Sequence, residues 1–244
     1  MRIDGYCTLG KDREFDLTAE NLLHAMDLAE VNCAVIAPPD RQLAVSNREG
    51  NAAMLQSARS HPGRLIPACA ANPWYGARAL DEVRISLAAG ARLLVVHPFV
   101  QGFQLNDELI LPLLELAATE RVPVYVHTGM PGNSTPWQLV DLAERFPALD
   151  FIMGHCGATD FWTDVPEAAR AAPNIYLESS LARPFTFINH LKSAGFNHGI
   201  MGSYAPLNDF GFEWRQIRDC LPPEHIAGVC GQNLLKLLLK RGPL

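Results

Sequence analysis

Three of the eight histidines each end a short apolar run. His97 follows Leu93-Leu94-Val95-Val96, His127 ends the run that begins at Val122, and His155 ends the one that begins at Asp150. Imidazole titrates near neutral pH, so histidines presented together suit general acid–base chemistry or metal ligation. Other apolar runs end in hydrogen-bonding groups: Tyr6-Cys7-Thr8, Glu178-Ser179-Ser180 and Ser203-Tyr204. Arg183 and Asp209 lie just beyond two of these ends. The guanidinium fork of Arg183 has the geometry to clamp a substrate carboxylate. His24, His61, His190, His198 and His225 fall in helical or loop stretches and read as surface or capping residues. The six cysteines, at 7, 33, 69, 156, 220 and 230, form no CxxC pair and match no zinc-finger spacing. They read as reduced thiols packed in a core. Cys156 follows His155 directly, and adjacent residues rarely aim at one point, so the two are not read as a nucleophile pair.

The elements that must position these groups follow from the apolar pattern. Eight strand candidates recur: Arg2–Tyr6, Cys33–Ala37, Arg64–Ala70, Leu93–His97, Val122–His127, Asp150–His155, Asn174–Ser179 and His198–Gly202. A helical stretch follows each, as in Leu80, Val83 and Leu87 or Leu109, Leu113 and Leu116. Strand–helix alternation implies parallel pairing. The runs are continuously apolar, as strands covered on both faces are. Eight such units predict an α/β fold, a (β/α)8 TIM barrel, as a single domain over residues 1–244. An open doubly wound sheet is the alternative, but no GxGxxG follows the first strand. In a barrel the strand C-termini line the site, so these histidines and tyrosines should converge on one mouth.

Composition narrows the function classes. Apolar residues make up 48% of 244, with 18 Gly and 18 Pro, which excludes a disordered, collagen-like or coiled-coil chain. The formal net charge of −6 gives no basic footprint for nucleic acid. No run reaches the length of a membrane span, and Met1 to Tyr6 carries no apolar signal core. A cytoplasmic protein is expected.

The segments His97-Pro98, Pro123-Val124-Tyr125-Val126-His127-Thr128-Gly129 and Met153-Gly154-His155-Cys156-Gly157 resemble the strand 4, 5 and 6 signatures of the amidohydrolase family 2 group. That group includes aminocarboxymuconate-semialdehyde decarboxylase, resorcylate decarboxylases and lactone hydrolases. Looser matches are His61-Pro62-Gly63-Arg64 with Asn72-Pro73, Asn174-Ile175-Tyr176-Leu177, and Gly231-Gln232-Asn233. The order and spacing of the motifs carry the resemblance over nearly the whole chain.

The resemblance implies a divalent metal, commonly zinc, held by two histidines of a first-strand Asp-x-His-x-His, the strand 5 histidine and a strand 8 aspartate. Here the first strand reads Asp4-Gly5-Tyr6-Cys7-Thr8, and Tyr204 stands where the aspartate is expected. Of those four ligands only His127 is present, and one histidine cannot make a zinc site. Residues alternate along a strand, so Cys7 should face the helix layer and supply no ligand. No metal cofactor is therefore expected. Were zinc or another divalent ion bound, His127 and His155 would hold it, with Asp209 or Glu178 as an added carboxylate.

His155 matches the family's general acid/base. The expected enzyme is a hydrolase or decarboxylase (a lyase) of a small carboxylated or cyclic substrate. In it His155 and His127 are catalytic, and His97, Tyr6, Thr8, Tyr204, Arg183 and Asp209 bind substrate. The alternative is a catalytically inactive relative that binds a small molecule or regulates. A small-molecule substrate or ligand is the expected partner, without nucleic acid or membrane. Family members are often dimers, so a second copy is a further candidate.

Overall fold

In the computed structural model, which describes residues 1–158 and 160–243, eight parallel strands follow one another in chain order. They are β1 (Ile3–Thr8), β2 (Cys33–Ala37), β3 (Leu65–Ala70), β4 (Leu93–Val96), β5 (Val124–His127), β6 (Phe151–Gly154), β7 (Ile175–Glu178) and β8 (Gly199–Ile200). Each pairs in parallel with its neighbour. The ring closes through the backbone after β8. Gly5 N donates to Met201 O at 2.8 Å, Tyr204 N to Tyr6 O at 3.0 Å, and Thr8 N to Ala205 O at 2.7 Å. The predicted TIM barrel is what the chain forms.

Helices cover the outside. They include α1 (Ala19–Leu28), α2 (Asp40–Ala44), α3 (Asn47–Ser60), α4 (Ala77–Ala88), α5 (Pro98–Gln101), α6 (Leu111–Glu120), α7 (Pro136–Arg145), α8 (Val165–Ala171), α9 (Pro184–Ala194) and α10 (Phe210–Cys220). Successive strand residues sort into two cores, as the two-residue period of a strand requires. Ile3, Tyr6, Val35, Leu93, Val95, Tyr125 and Ile152 fill the barrel interior. Cys7, Ile36, Leu94, Val96, Val126 and Met153 pack against the helices. Cys7 thus lies in the outer layer, as expected. The pairing register of β1 on β2 shifts between Asp4 and Cys7, which brings Ile3 and Tyr6, three residues apart, into the same interior cluster.

A short hairpin of Gly10–Lys11 and Asp16–Leu17 follows β1. Its strands are two residues long and charged, so no apolar pattern announced it. Among the described residues, no helix is long and apolar enough to cross a membrane.

Candidate active site

A sharp turn sets His155 at the end of β6. His155, Cys156 and Gly157 all have left-handed backbone, with φ of 65°, 46° and 67°. Such conformations cost a non-glycine residue about 1–3 kcal/mol. Hydrogen bonds hold the turn: His155 N donates to Glu178 Oε2 at 3.0 Å, and Gly157 N to Thr128 Oγ1 at 3.1 Å. Gly154 is required just before it, because a Cβ there would lie 2.4 Å from the Tyr125 ring.

The turn delivers His155 into a continuous buried chain of polar groups. Tyr6 Oη lies 2.9 Å from His127 Nε2, and His127 Nδ1 lies 2.9 Å from His155 Nε2. His155 Nδ1 is 2.7 Å from Ser180 Oγ, which donates to Glu178 Oε2 at 2.7 Å. Glu178 also accepts from Tyr125 Oη at 2.8 Å and from Ser180 N at 2.9 Å. Four strands contribute: β1, β5, β6 and β7 with the residues that follow them.

Donor counting orders this chain. Ser180 has one hydroxyl proton and spends it on Glu178, so it accepts from His155 Nδ1. A neutral His155 then accepts at Nε2 from His127 Nδ1. A neutral His127 accepts at Nε2 from the Tyr6 hydroxyl. All four imidazole nitrogens are thereby satisfied, with both rings neutral.

Burial keeps these groups uncharged. It pushes His155 down to about 3 and His127 well below the usual imidazole value, with His97 adding to both effects. This alters the expectation for His155, which rested on an imidazole free to titrate near neutral pH. Burial, then Tyr204 and Asp40, push the Tyr6 phenol well above its ordinary value. Burial also raises Glu178, against the hydrogen bonds that favour its charge.

His97 stacks on His127 with ring centroids 4.0 Å apart. Its Nδ1 is buried without a hydrogen-bond partner, and burial lowers the ring to about 4. Tyr204, partly exposed, packs its ring 4.5 Å from that of His155. Thr8 is buried at the end of β1. Tyr6, His97, His127, His155 and Tyr204 therefore come together. Arg183 and Asp209 stay outside this cluster. Arg183 is exposed at the N-cap of α9. The Asp209 carboxylate caps α10, accepting from Phe212 N at 2.7 Å.

Sequence reasoning named Glu178 and Ser180 as polar groups at a strand end but gave Ser180 no role and Glu178 only that of an added metal ligand, and it missed Tyr125. The available signal was the polar run Glu178-Ser179-Ser180 closing an apolar strand. It also missed the second carboxylate of the barrel. Asp4 is fully buried and accepts from Trp214 Nε1 at 2.7 Å, Tyr6 N at 3.0 Å and Ser203 N at 3.2 Å. It ties β1 to α10 and to the closing strand.

A divalent ion needs several open N, O or S donors. Among the described residues, no group of three or more His, Cys, Asp or Glu side chains is placed to hold one. His127 and His155 spend their ring nitrogens on each other, on Tyr6 and on Ser180. As hydrogen-bonded here, the donor set does not fit a metal.

Similar solved structures share the barrel. An uncharacterized TIM-barrel protein from Bordetella bronchiseptica is 18% identical, covers 99% of each chain and has a TM-score of 0.81. A 2,6-dihydroxybenzoate decarboxylase from Rhizobium is 14% identical over 99% of each chain, with a TM-score of 0.78. A dihydroxybenzoic acid decarboxylase from Polaromonas sp. JS666, with bound manganese and the inhibitor 2-nitroresorcinol, is 13% identical. It covers 97% of this chain and 96% of its own, with a TM-score of 0.80. That structure corrects the expectation of no metal cofactor. That neighbour, a barrel of the same fold, holds a divalent ion, which stands against the expectation of no metal cofactor. None of the curated proteins matches this chain. The model of the amidohydrolase family matches residues 17–227, nearly the whole barrel. The chain belongs to the amidohydrolase family.

Proposed function

We propose that this barrel is an enzyme that decarboxylates or hydrolyses a small carboxylated or cyclic substrate. The dihydroxybenzoate decarboxylases among its structural neighbours favour decarboxylation of a hydroxylated aromatic acid. The observation that carries the reading is the buried chain Tyr6–His127–His155–Ser180–Glu178. Such a chain exists in two polarities that differ by one proton. With Glu178 ionised, every donor points toward it. With Glu178 protonated, the order reverses: Glu178 donates to Ser180, Ser180 to His155 Nδ1, His155 Nε2 to His127 Nδ1, and His127 Nε2 to Tyr6 Oη. The Tyr6 proton is then free to leave for a substrate.

Proton transfer along such a chain needs no imidazolium, which suits two imidazoles held neutral by burial. Losing CO2 from an aromatic acid requires a proton at the ring carbon that held the carboxylate. Tyr6 Oη delivers that proton, and Glu178 stores it. His97, with its open Nδ1, and Tyr204 orient the substrate.

The test is turnover of 2,6-dihydroxybenzoate and related hydroxybenzoates in D2O, with and without added Mn2+. Wild type should release CO2 and place deuterium at the vacated carbon. Tyr6→Phe should lower kcat by about 10²–10⁴ with KM little changed, the size of a lost acid–base group. Unaltered kcat in Tyr6→Phe would sink the delivery role.

A second reading is favoured by the saturation of all four imidazole nitrogens. In that reading the protein binds a small molecule without turnover. It is the one left standing if no hydroxybenzoate or lactone reacts under either metal condition while calorimetry still shows binding.

A further inference from the structure

The strand N-termini form a second mouth, and a cavity of about 500 Å³ opens there. It lies among Cys33 and Leu65, which begin β2 and β3, Arg92 just before β4, and the C-terminal ends of α3 and α4. The helical segment Asn233–Leu238 and the residue after it close the remaining side with Leu235 and Leu239. His97, His127 and His155 stand at the opposite ends of their strands. β2 has 5 residues, and at ~3.3 Å each such a strand separates its two ends by on the order of 16 Å. The two mouths are therefore separate sites.

The lining sorts into two parts. Leu55, Leu65, Ile66 and Pro67 are buried apolar walls, and Leu239, 43% exposed, adds an apolar side chain at the opening. The charged lining residues are Arg59, in the last turn of α3, and Arg92, with no Asp or Glu beside them. That one-sided charge stands out in a chain with a formal net charge of −6. Arg92 is half-buried and donates to backbone carbonyls, from Nη1 to Gly242 O at 3.4 Å and from Nη2 to Pro243 O. Among the described residues neither arginine pairs with a carboxylate. Burial, then Arg241, lowers the Arg92 guanidinium from its ordinary value. An anion beside such a cation offsets the cost of burying it, and the guanidinium fork matches the two oxygens of a carboxylate. Small-molecule pockets run to ~300–1,000 Å³, with mostly apolar walls and a few polar groups that fix orientation. A bare inorganic anion would leave these apolar walls unmatched, and a neutral hydrocarbon would leave the arginines so.

We propose that this cavity binds a small apolar monocarboxylate, with its carboxylate on Arg59 and Arg92 and its hydrocarbon body against Leu55, Ile66, Leu235 and Leu239. The ligand bridges α3 and β4 to the C-terminal helical segment, so its binding fastens that segment to the base of the barrel. It takes no part in chemistry at the other mouth.

Calorimetry and NMR of the full chain test this, with octanoate as probe and 1-octanol as its uncharged counterpart. One octanoate should bind per chain, ~10-fold or more tighter than 1-octanol, the effect of a charge-assisted hydrogen bond. The amide signals of Ala58, Gly90 and Leu235 should shift, and those of His127 and Gly154 should not. Arg59→Met with Arg92→Met should weaken octanoate binding by ~10-fold or more. The double variant should bind 1-octanol as wild type does, which also reports an intact cavity. Arg59 is exposed, so Arg59→Met alone should weaken octanoate binding without changing the circular dichroism. Ala58→Phe fills the cavity and should weaken both probes. Octanoate binding that survives the double substitution would overturn the proposal. So would equal affinity for the two probes, shifts confined to the strand C-termini, or no octanoate binding at millimolar concentration. Tyr6→Phe should bind octanoate like wild type, so these results stand apart from whether Tyr6 delivers a proton.

Discussion

Acid sensitivity of the fold follows directly from the buried imidazoles. His97, His127 and His155 are neutral in the folded protein, with His97 held at about 4, His155 at about 3 and His127 well below the usual value. In the unfolded chain each titrates near ~6.5. Between those values the unfolded state binds more protons, so stability is fully present above ~6.5 and is lost as pH falls. Moving from about pH 7.5 to about pH 5.5 costs each such histidine about 1.4 kcal/mol, or about 4 kcal/mol for the three. His190 in α9, lowered to about 4, acts in the same direction. Asp4 and Glu178 work oppositely. Burial raises both, as it does Asp40 and Glu213, so their contribution is lost as pH rises and opposes that of the histidines. A domain is stable by only about 5–15 kcal/mol, so the loss is large. Urea unfolding at the two pH values should show it as a lower midpoint at unchanged slope. His97→Gln should remove about one quarter of the difference, since four histidines share it and this ring takes no part in the Tyr6–Glu178 chain. Equal stability at both pH values would refute the claim that these rings are neutral and buried, and an undiminished loss in His97→Gln would refute the share given to His97.

Three other outcomes can be checked. Glu178→Gln turns an amide NH2 or its oxygen toward groups that all donate, namely Tyr125 Oη, Ser180 Oγ and the amides of His155 and Ser180. It should destabilise the fold by about 3 kcal/mol, and nitrogen NMR of labelled histidines should show His155 and His127 leaving the Nδ1–H tautomer. Unchanged tautomers would mean that Glu178 does not order the chain. Trp214→Phe removes the indole donor from buried Asp4 and should cost about 2–3 kcal/mol in denaturant unfolding; a loss below half a kcal/mol would mean that water replaces the indole. Tyr6→His with Thr8→His and Tyr204→Asp restores the ligand set that the family resemblance implies. In equilibrium dialysis it should bind Mn2+ more tightly than wild type by more than the ~10–100-fold that a single outer partner contributes, whereas equal binding would count against that placement of the ligand positions.

The fold was legible because its signals are redundant. Eight continuous apolar runs, each followed by a helical stripe, leave few topologies open, and all eight became the barrel strands. The charged hairpin after β1 lacked such a signal, since two-residue strands have no period to detect. For the site, the end of each strand is readable, so His97, His127, His155, Tyr6 and Tyr204 were found together. Spacing along one chain does not say which atoms touch across strands. That is why Arg183 and Asp209 read as site residues although one is exposed at a helix start and the other caps α10.

His155 shows why the chemistry itself was less legible than the position. Residue type suggests a titrating imidazole, and only the environment reveals that both ring nitrogens are already bonded and that burial holds the ring neutral. Glu178 shows the converse. In sequence it reads as a polar strand end or an added metal carboxylate, yet four donors meet it. A buried carboxylate with that many donors fixes the direction of every hydrogen bond beyond it. On the proposed mechanism the acid–base property belongs to the chain from Glu178 to Tyr6 as a unit, with the phenol at its end as the group that would meet substrate.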